Sequence, residues 1–325
     1  MIKIITSRAG YGKTSSLYKE ILEKDKNAEV AYLMVPEQFT LQSELALMDK
    51  VDSKGLIYAQ VMSFERLSRL VLSRVGGLKR PYIDEIGKHM ALRLIFDKHE
   101  DSLPMYKTAY KKEGFLSELS HTLSELKKMA VPPSLLLDKS NQIENNALLK
   151  QKLFEIGFIY NEFLNYMQDQ YIDNEDRISL LAEKINLYKE ISNASFYFDS
   201  FTGFTALELS VIEQLVQMGT SLCFALTYDE TSADKDVFSP TSLTINQLKT
   251  IAKATGSEFE IEALVNESTK SKEIRYIEKA LYDYKAPSYK EEINDVKLFE
   301  ALDMEKEAEH CALEVLSLVR DFGYR

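Results

Sequence analysis

An α/β architecture on a parallel sheet, interrupted by an all-helical insertion, follows from three features of the amino-acid sequence. Short apolar runs alternate with helical periods over residues 1–80, helical periods alone fill residues 81–190, and the alternation then returns. The first strand is expected at Ile2 to Thr6, followed by a helix from Lys13 to about Lys24 and a strand from Val30 to Val35 that Pro36 stops. A third strand, Ile57 to Met62, leads into a helix, Phe64 to Val75, which Gly76-Gly77 terminates. Strand and helix in strict succession imply parallel pairing.

From about Pro81 to Glu190 no convincing strand interrupts the helical spacing. Phe115, Leu116, Leu119, Leu123, Leu126 and Met129 recur at three and four residues, which describes one buried helix face ended by Pro132-Pro133. A second long helix, about Asn146 to Gln168, repeats the pattern through Leu153, Ile156, Tyr160, Phe163 and Met167. Tyrosine and phenylalanine on such faces serve the core.

The sheet pattern resumes with Ala194 to Asp199, a helix at about Ala206 to Met218, and a strand at Ser221 to Thr227. A polar loop is expected over Ser232 to Asp236, then helical and mixed segments to Tyr284, then a charged connector from Lys285 to Asp295. The expected organisation is a core of residues 1–80 plus 191–290 with residues 81–190 inserted. A strand, Val296 to Ala301, and a helix, Lys306 to Phe322, complete the chain. One strand and one helix bury no core, so residues 291–325 are expected to open a further domain, truncated here, of a longer polypeptide.

Composition narrows the function classes. The 325 residues carry 40 Lys plus Arg against 51 Asp plus Glu, a net charge of −11, which argues against indiscriminate coating of nucleic acid but leaves room for a local basic groove. Cys223 and Cys311 are too few for a disulfide framework or a thiolate cluster and suit a reducing cytoplasm. The histidines, 89, 99, 121 and 310, lack ligand spacing. No apolar stretch reaches the length of a membrane span, so a cytoplasmic protein with no membrane partner is expected.

The chemistry is concentrated at the first strand-to-helix junction. Ser7, Arg8, Ala9, Gly10, Tyr11, Gly12, Lys13, Thr14 and Ser15 form a phosphate-binding loop in which Ser7 stands where a glycine is usual. Gly10 and Gly12 let backbone N–H groups turn inward as an anion nest at the positive end of the helix. Lys13 is placed to reach the β- and γ-phosphates of Mg-ATP and Thr14 to ligate Mg²⁺. Serine is tolerated at position 7 if its φ is negative. Such sites use an acid at the end of a neighbouring strand to hold Mg²⁺ through its water shell, and Asp199 is that candidate. A tight turn and an ordinary strand-end aspartate are the alternatives. Hydrolysing relatives of the helicase type follow this aspartate with a glutamate, whereas here Ser200 follows. A hydroxyl is no base at neutral pH, so binding without turnover is expected.

Several segments together carry a resemblance. Ser7 to Thr14, Val-Pro-Glu-Gln-Phe-Thr at 35–40, Val-Met-Ser-Phe-Glu-Arg-Leu at 61–67, Phe-Asp-Ser-Phe-Thr-Gly-Phe-Thr at 198–205 and Phe-Glu-Ala-Leu-Asp-Met-Glu-Lys-Glu-Ala-Glu at 299–309 resemble the N-terminus of the B subunit of AddAB-type helicase–nucleases. The resemblance covers essentially the whole chain. It implies a superfamily 1 helicase-like P-loop fold that has lost motor activity, paired with an active A subunit in double-strand break repair. It also implies that the family's iron–sulfur cluster and nuclease metal lie beyond residue 325, and that this core binds single-stranded DNA and screens it for the hotspot called Chi. The matching DNA-contacting positions are Gln38, Thr40, Phe64, Arg66 and Phe204, with Arg69 where relatives often carry tryptophan. Amide, hydroxyl, ring and guanidinium suit that task. Phe64 and Phe204 as core residues, and Gln38 and Thr40 as helix caps, remain alternatives. Arg66, Arg69, Arg74, Lys79 and Arg80 form the candidate basic groove, or a solvated helix face. Two competing functions stay open: an independent P-loop ATPase or kinase with a base such as Glu37, and an interaction domain without a ligand.

Overall fold

Ile2 and Ile4 of the first strand pack to one side of a sheet and Ile5 to the other, the period-two division that a doubly covered parallel strand requires. The computed structural model describes all residues except 52–54, 113, 233–235, 265–267, 269, 284 and 325. In chain order its strands and α-helices are β1 (Ile2–Ser7), α1 (Lys13–Lys26), β2 (Ala31–Met34), α2 (Thr40–Met48), β3 (Ala59–Met62), α3 (Phe64–Val75), α4 (Glu85–His99), α5 (Phe115–Lys128), α6 (Pro133–Gln142), α7 (Ala147–Met167), α8 (Asn174–Lys184), β4 (Ser195–Phe198), α9 (Ala206–Gln217), β5 (Ser221–Thr227), α10 (Ser239–Thr255), β6 (Phe259–Ala263), α11 (Lys272–Ala280) and α12 (Met304–Phe322).

The fold is α/β. Six strands form one sheet in the order β3-β2-β4-β5-β1-β6, each neighbouring pair parallel. On one face, Leu17, Tyr18 and Ile21 of α1 and Leu47 of α2 cover Ile5, Leu33, Tyr197 and Ala225. On the other, α3, α8, α9 and α10 bring Leu67, Leu181, Ile212 and Leu248 against Ile4, Met34, Phe198 and Phe224. β5 separates β1 from β4, and β4 lies beside β2, so the C-terminal ends of these strands, where sites in such sheets form, fall along one edge of the sheet.

Helices α4, α5 and α7 enclose a separate core in which Phe96 stacks on Tyr110 at 4.8 Å, with Leu123, Ile159 and Phe163 around them. The all-helical stretch ends earlier than residue 190 in packing terms, because Leu181, Ile185 and Tyr188 join the core of the sheet. A buried ionic cluster ties α8 to α4 and α5. Lys127 Nζ donates to both oxygens of Asp173 at 2.8 and 2.7 Å and meets Asp176 at 2.8 Å. Lys88 Nζ lies 3.1 Å from Glu85 and 3.5 Å from Glu175. Asp173 also caps α8 in a reciprocal box with Asp176.

The structure differs from the sequence-based expectation in three places. Phe259–Ala263 is a strand within the stretch for which the sequence predicts only helical and mixed segments, pairing with the edge of β1 and held there by Lys3 and Glu262 at 2.8 Å. Val296 to Ala301 is not a strand. Leu298 there is 99% exposed, and among the described residues its unit supplies no strand to pair with. The chain divides into two compact units, Met1–Asn266 and Glu267–Arg325, so α11 falls in the second. In that unit Glu273 accepts the backbone N–H groups of Asn294 and Asp295 at 2.8 and 2.7 Å, and Phe299 stacks on His310. The loop expected over Ser232 to Asp236 lies mostly outside the described residues, as does Tyr284. No helix among the described residues is long and apolar enough to cross a membrane.

Candidate functional site

The loop after β1 turns through two left-handed glycines, Gly10 at φ 85° and Gly12 at φ 86°, a conformation that any side chain would strain. Gly12 is the N-cap of α1 and no side chain caps that end. Ser7 closes β1 in extended backbone and is not among the left-handed residues, so serine meets no conformational obstacle there. Lys13 is 9% exposed and folds back over the loop. Its Nζ donates to the carbonyls of Ser7 and Arg8 at 2.8 and 3.0 Å and to Ser7 Oγ at 3.3 Å.

Asp199 follows β4 and is 6% exposed. Burial pushes the pKa of its carboxyl group above the ordinary 3.8, while the Thr14 hydroxyl, the Ser200 N–H and the Lys13 ammonium act in the opposite direction by favouring the charged form. Residues far apart in sequence, the loop and the strand-end acid, therefore meet. The donor set, one hydroxyl and one carboxylate beside an ammonium group, fits a hard divalent ion that takes its other ligands from phosphates and water. Among the described residues no three His, Cys, Asp or Glu side chains gather as a metal site by themselves. Thr14 and Ser15 are exposed at the mouth of the loop.

Arg8 does not stand open beside this loop. Its Nη1 is 2.9 Å from Asp229 Oδ2 and its guanidinium lies over Phe238, 5.3 Å from the ring centroid. Burial pushes the Asp229 carboxyl up, but the hydrogen bonds from Thr231 and Arg8 outweigh it and hold the group below its ordinary value. Asp229 escaped the sequence reading, although it follows β5 as Asp199 follows β4.

A cleft of roughly 680 Å³ opens beyond the ends of β2, β3 and β4. Exposed Gln38 and half-buried Phe201 both line it. Ser200 joins them in a left-handed conformation, φ 64°, which is uncommon for a residue with a side chain. Of the other DNA candidates, Phe64 also lines the cleft, whereas Thr40, Arg66, Arg69 and Phe204 do not. Phe64 and Phe204 are 4% and 9% exposed and pack edge-on against one another at 6.4 Å and around Phe198, so neither offers a free face for stacking a base. Thr40 is buried with its hydroxyl bonded to the Glu37 carbonyl at 2.9 Å, a helix-start role. Arg66 and Arg69 line a neighbouring groove of about 670 Å³ rather than the cleft. Arg66 pairs with Glu44 and Arg69 with Glu65. Arg80 donates to the Gln168 carbonyl. Phe201 is the aromatic that sequence reasoning passed over in favour of Phe204, although both lie in the 198–205 segment.

The family model described as ADDB, N-terminal, matches residues 4–278. The B subunit of the ATP-dependent helicase/deoxyribonuclease of Alkaliphilus metalliredigens (strain QYMF) is 37% identical over 332 residues, covering 100% of this chain and 29% of its own length. The protein of the same name from Thermoanaerobacter sp. (strain X514) is 34% identical over 335 residues, and that of Anoxybacillus flavithermus (strain DSM 21510 / WK1) 35% over 339, with the same coverage of both chains. The chain thus spans 29% of the length of these relatives. With the family match running from the first strand into α11 and these relatives aligned over the whole chain, the protein belongs to the ADDB N-terminal family.

Proposed function

We propose that this chain is the nucleotide-holding, DNA-scanning core of a cytoplasmic helicase/deoxyribonuclease B subunit, working beside an A subunit in double-strand break repair. The loop from Ser7 to Ser15 takes the phosphates of Mg-ATP, with Lys13 exchanging the Ser7 and Arg8 carbonyls for phosphate oxygens and the backbone N–H groups at the start of α1 adding further donors. Thr14 and Asp199 hold the magnesium ion, which when bound neutralises phosphate charge. Single-stranded DNA lies across the strand-end cleft and is screened there for Chi.

One observation carries this reading: Asp199 meets Thr14 and Lys13, while the next residue is Ser200 rather than a carboxylate. The pocket keeps the groups that bind a nucleotide and lacks the adjacent base that would activate water. A melting experiment tests it. Mg-ATP is expected to raise the melting temperature of the chain and labelled single strands to bind in a salt-dependent manner. No response to either ligand contradicts the reading.

A further inference from the structure

The cleft has the wrong charge for a phosphate channel. Among the described residues Glu37, Glu65, Glu175 and Glu208 line it against a single cation, Lys128, which is itself paired with Glu125 at 2.8 Å. A phosphodiester chain inside such walls is repelled, whereas bases are uncharged. The cations lie outside it: Arg66 and Arg69 line the neighbouring groove. Glu37 stands on the boundary between the two, lining the cleft while its Oε1 is 3.9 Å from Arg66 Nε. A strand crossing this face is therefore oriented, with phosphates toward the α3 arginines and bases turned into the cleft.

The four carboxylates differ in what they have left to offer. The Glu175 side chain is 8% exposed and faces Lys88, the Glu65 side chain is 24% exposed and pairs with Arg69, and Glu208 is held by the amide and hydroxyl of Thr205. Glu37 is the open one, with 55% of its side chain exposed. Its Oε2 accepts from the Ser63 hydroxyl, which fixes the group, while Oε1, 3.9 Å from Arg66 Nε and so beyond hydrogen-bond distance, keeps lone pairs for a ligand. Gln38 is exposed beside it, and the Phe201 ring lies in the same cleft.

We propose that Glu37 is a specificity-determining residue for single-stranded DNA, favouring bases that carry an exocyclic amino group and rejecting thymine. This rests on the single-strand reading given above. A carboxylate only accepts hydrogen bonds, and the amino groups of cytosine, adenine and guanine donate them. Thymine offers one N–H donor flanked on both sides by carbonyl oxygens, which repel a carboxylate drawn up to that N–H, so Glu37 binds it less well than an amino group.

Fluorescence anisotropy of the full chain with labelled oligo-dC and oligo-dT of equal length, at neutral pH, tests the assignment. Oligo-dC is expected to bind about tenfold more tightly than oligo-dT, the difference between a charged hydrogen bond made freely and one opposed by two flanking carbonyl oxygens. Glu37→Gln is expected to reduce that ratio to about twofold, because an amide also donates. Glutamine keeps an acceptor for Ser63, and an unchanged melting temperature verifies that the variant is folded. Equal binding of the two oligonucleotides by the wild type overturns the proposal and leaves single-strand binding standing. Discrimination that survives Glu37→Gln removes it from this residue. Binding of neither oligonucleotide overturns both the proposal and the reading beneath it.

Discussion

The Thr14 hydroxyl stands beside the carboxyl group of Asp199 and favours its charged form, relating the first turn of α1 to the residue that leaves β4. That proximity brings together the two halves of the proposed Mg-nucleotide pocket. Lys13 completes it from inside the loop, its ammonium already desolvated and bonded to carbonyls that a phosphate oxygen can replace. Lys13→Ala is therefore expected to remove the stabilisation by Mg-ATP. At a ligand concentration of a hundred times Kd that stabilisation is about 2.7 kcal/mol. Scanning calorimetry with and without Mg-ATP measures it, and an equal rise in melting temperature for wild type and variant would count against the pocket.

Asp199 adds a pH dependence whose sign is set by burial. Its folded pKa is raised, so the folded chain binds the proton more tightly than the unfolded chain and stability falls as pH climbs from 3.8 through the raised value. At neutral pH that loss is complete. Asp199→Asn is expected to melt higher than the wild type at neutral pH without ligand and to bind ATP without dependence on Mg²⁺. In the wild type, acidification toward the raised pKa is expected to weaken Mg-ATP binding as protons compete for the carboxylate. Calorimetric titrations at several pH values measure both, and a lower-melting Asp199→Asn that keeps its magnesium dependence contradicts them.

The ionic cluster between α5 and α8 predicts a large local cost. The Lys127 and Asp173 side chains are 8% and 1% exposed, and Lys127 with its neighbours holds the Asp173 pKa below the ordinary value against the opposing effect of burial. Lys127→Met leaves that carboxylate buried and without its main partner, and the expected loss is about 3–5 kcal/mol in urea unfolding. With that partner gone Asp173 takes up a proton in the folded state. The deficit relative to wild type is thus expected to shrink as pH is lowered, and a pH-independent deficit would contradict the pairing.

Phe64 and Arg66 are near neighbours in sequence with opposite expected behaviour. Phe64 is 4% exposed among Phe198, Phe201 and Phe204, so Phe64→Ala is expected to cost about 3–5 kcal/mol of stability. Phe64→Leu, which keeps much of the volume, is expected to bind single strands as the wild type does. Arg66→Ala is expected to leave the melting temperature nearly unchanged and to lower the slope of log affinity against log salt by about 0.7 for each single-strand phosphate that the arginine neutralises. Anisotropy titrations over a range of salt distinguish the two. Loss of binding in a well-folded Phe64→Leu would return that ring to the DNA surface.

What the sequence made legible is what is encoded locally. β1, the glycine loop and α1 are contiguous, and the positive φ of Gly10 and Gly12 is written in the residue type. Asp199 could be placed because an apolar run ending in an acid marks the end of a buried strand. The direction in which Phe64 and Phe204 point was not legible, because an aromatic after a strand reads the same whether it turns into the core or outward. Nor was the separation of Gln38 from Arg66 into adjoining depressions, which depends on how α2 and α3 pack beside the edge strand β3. Phe259–Ala263 and Val296 to Ala301 make the same point from opposite sides. The first, polar at alternate positions, became a strand because the edge of β1 receives it, while the second, more apolar run found no partner among the described residues.

Titration calorimetry of Mg-ATP into the chain, with released phosphate assayed in the same sample, bears most directly on a pocket that binds and does not hydrolyse. A saturable heat that Lys13→Ala abolishes, with phosphate release no faster than in buffer, is the expected result. Sustained phosphate release that Lys13→Ala abolishes would show that another residue supplies the base in place of Ser200, and the absence of any binding heat would show that the loop from Ser7 to Ser15 holds no nucleotide.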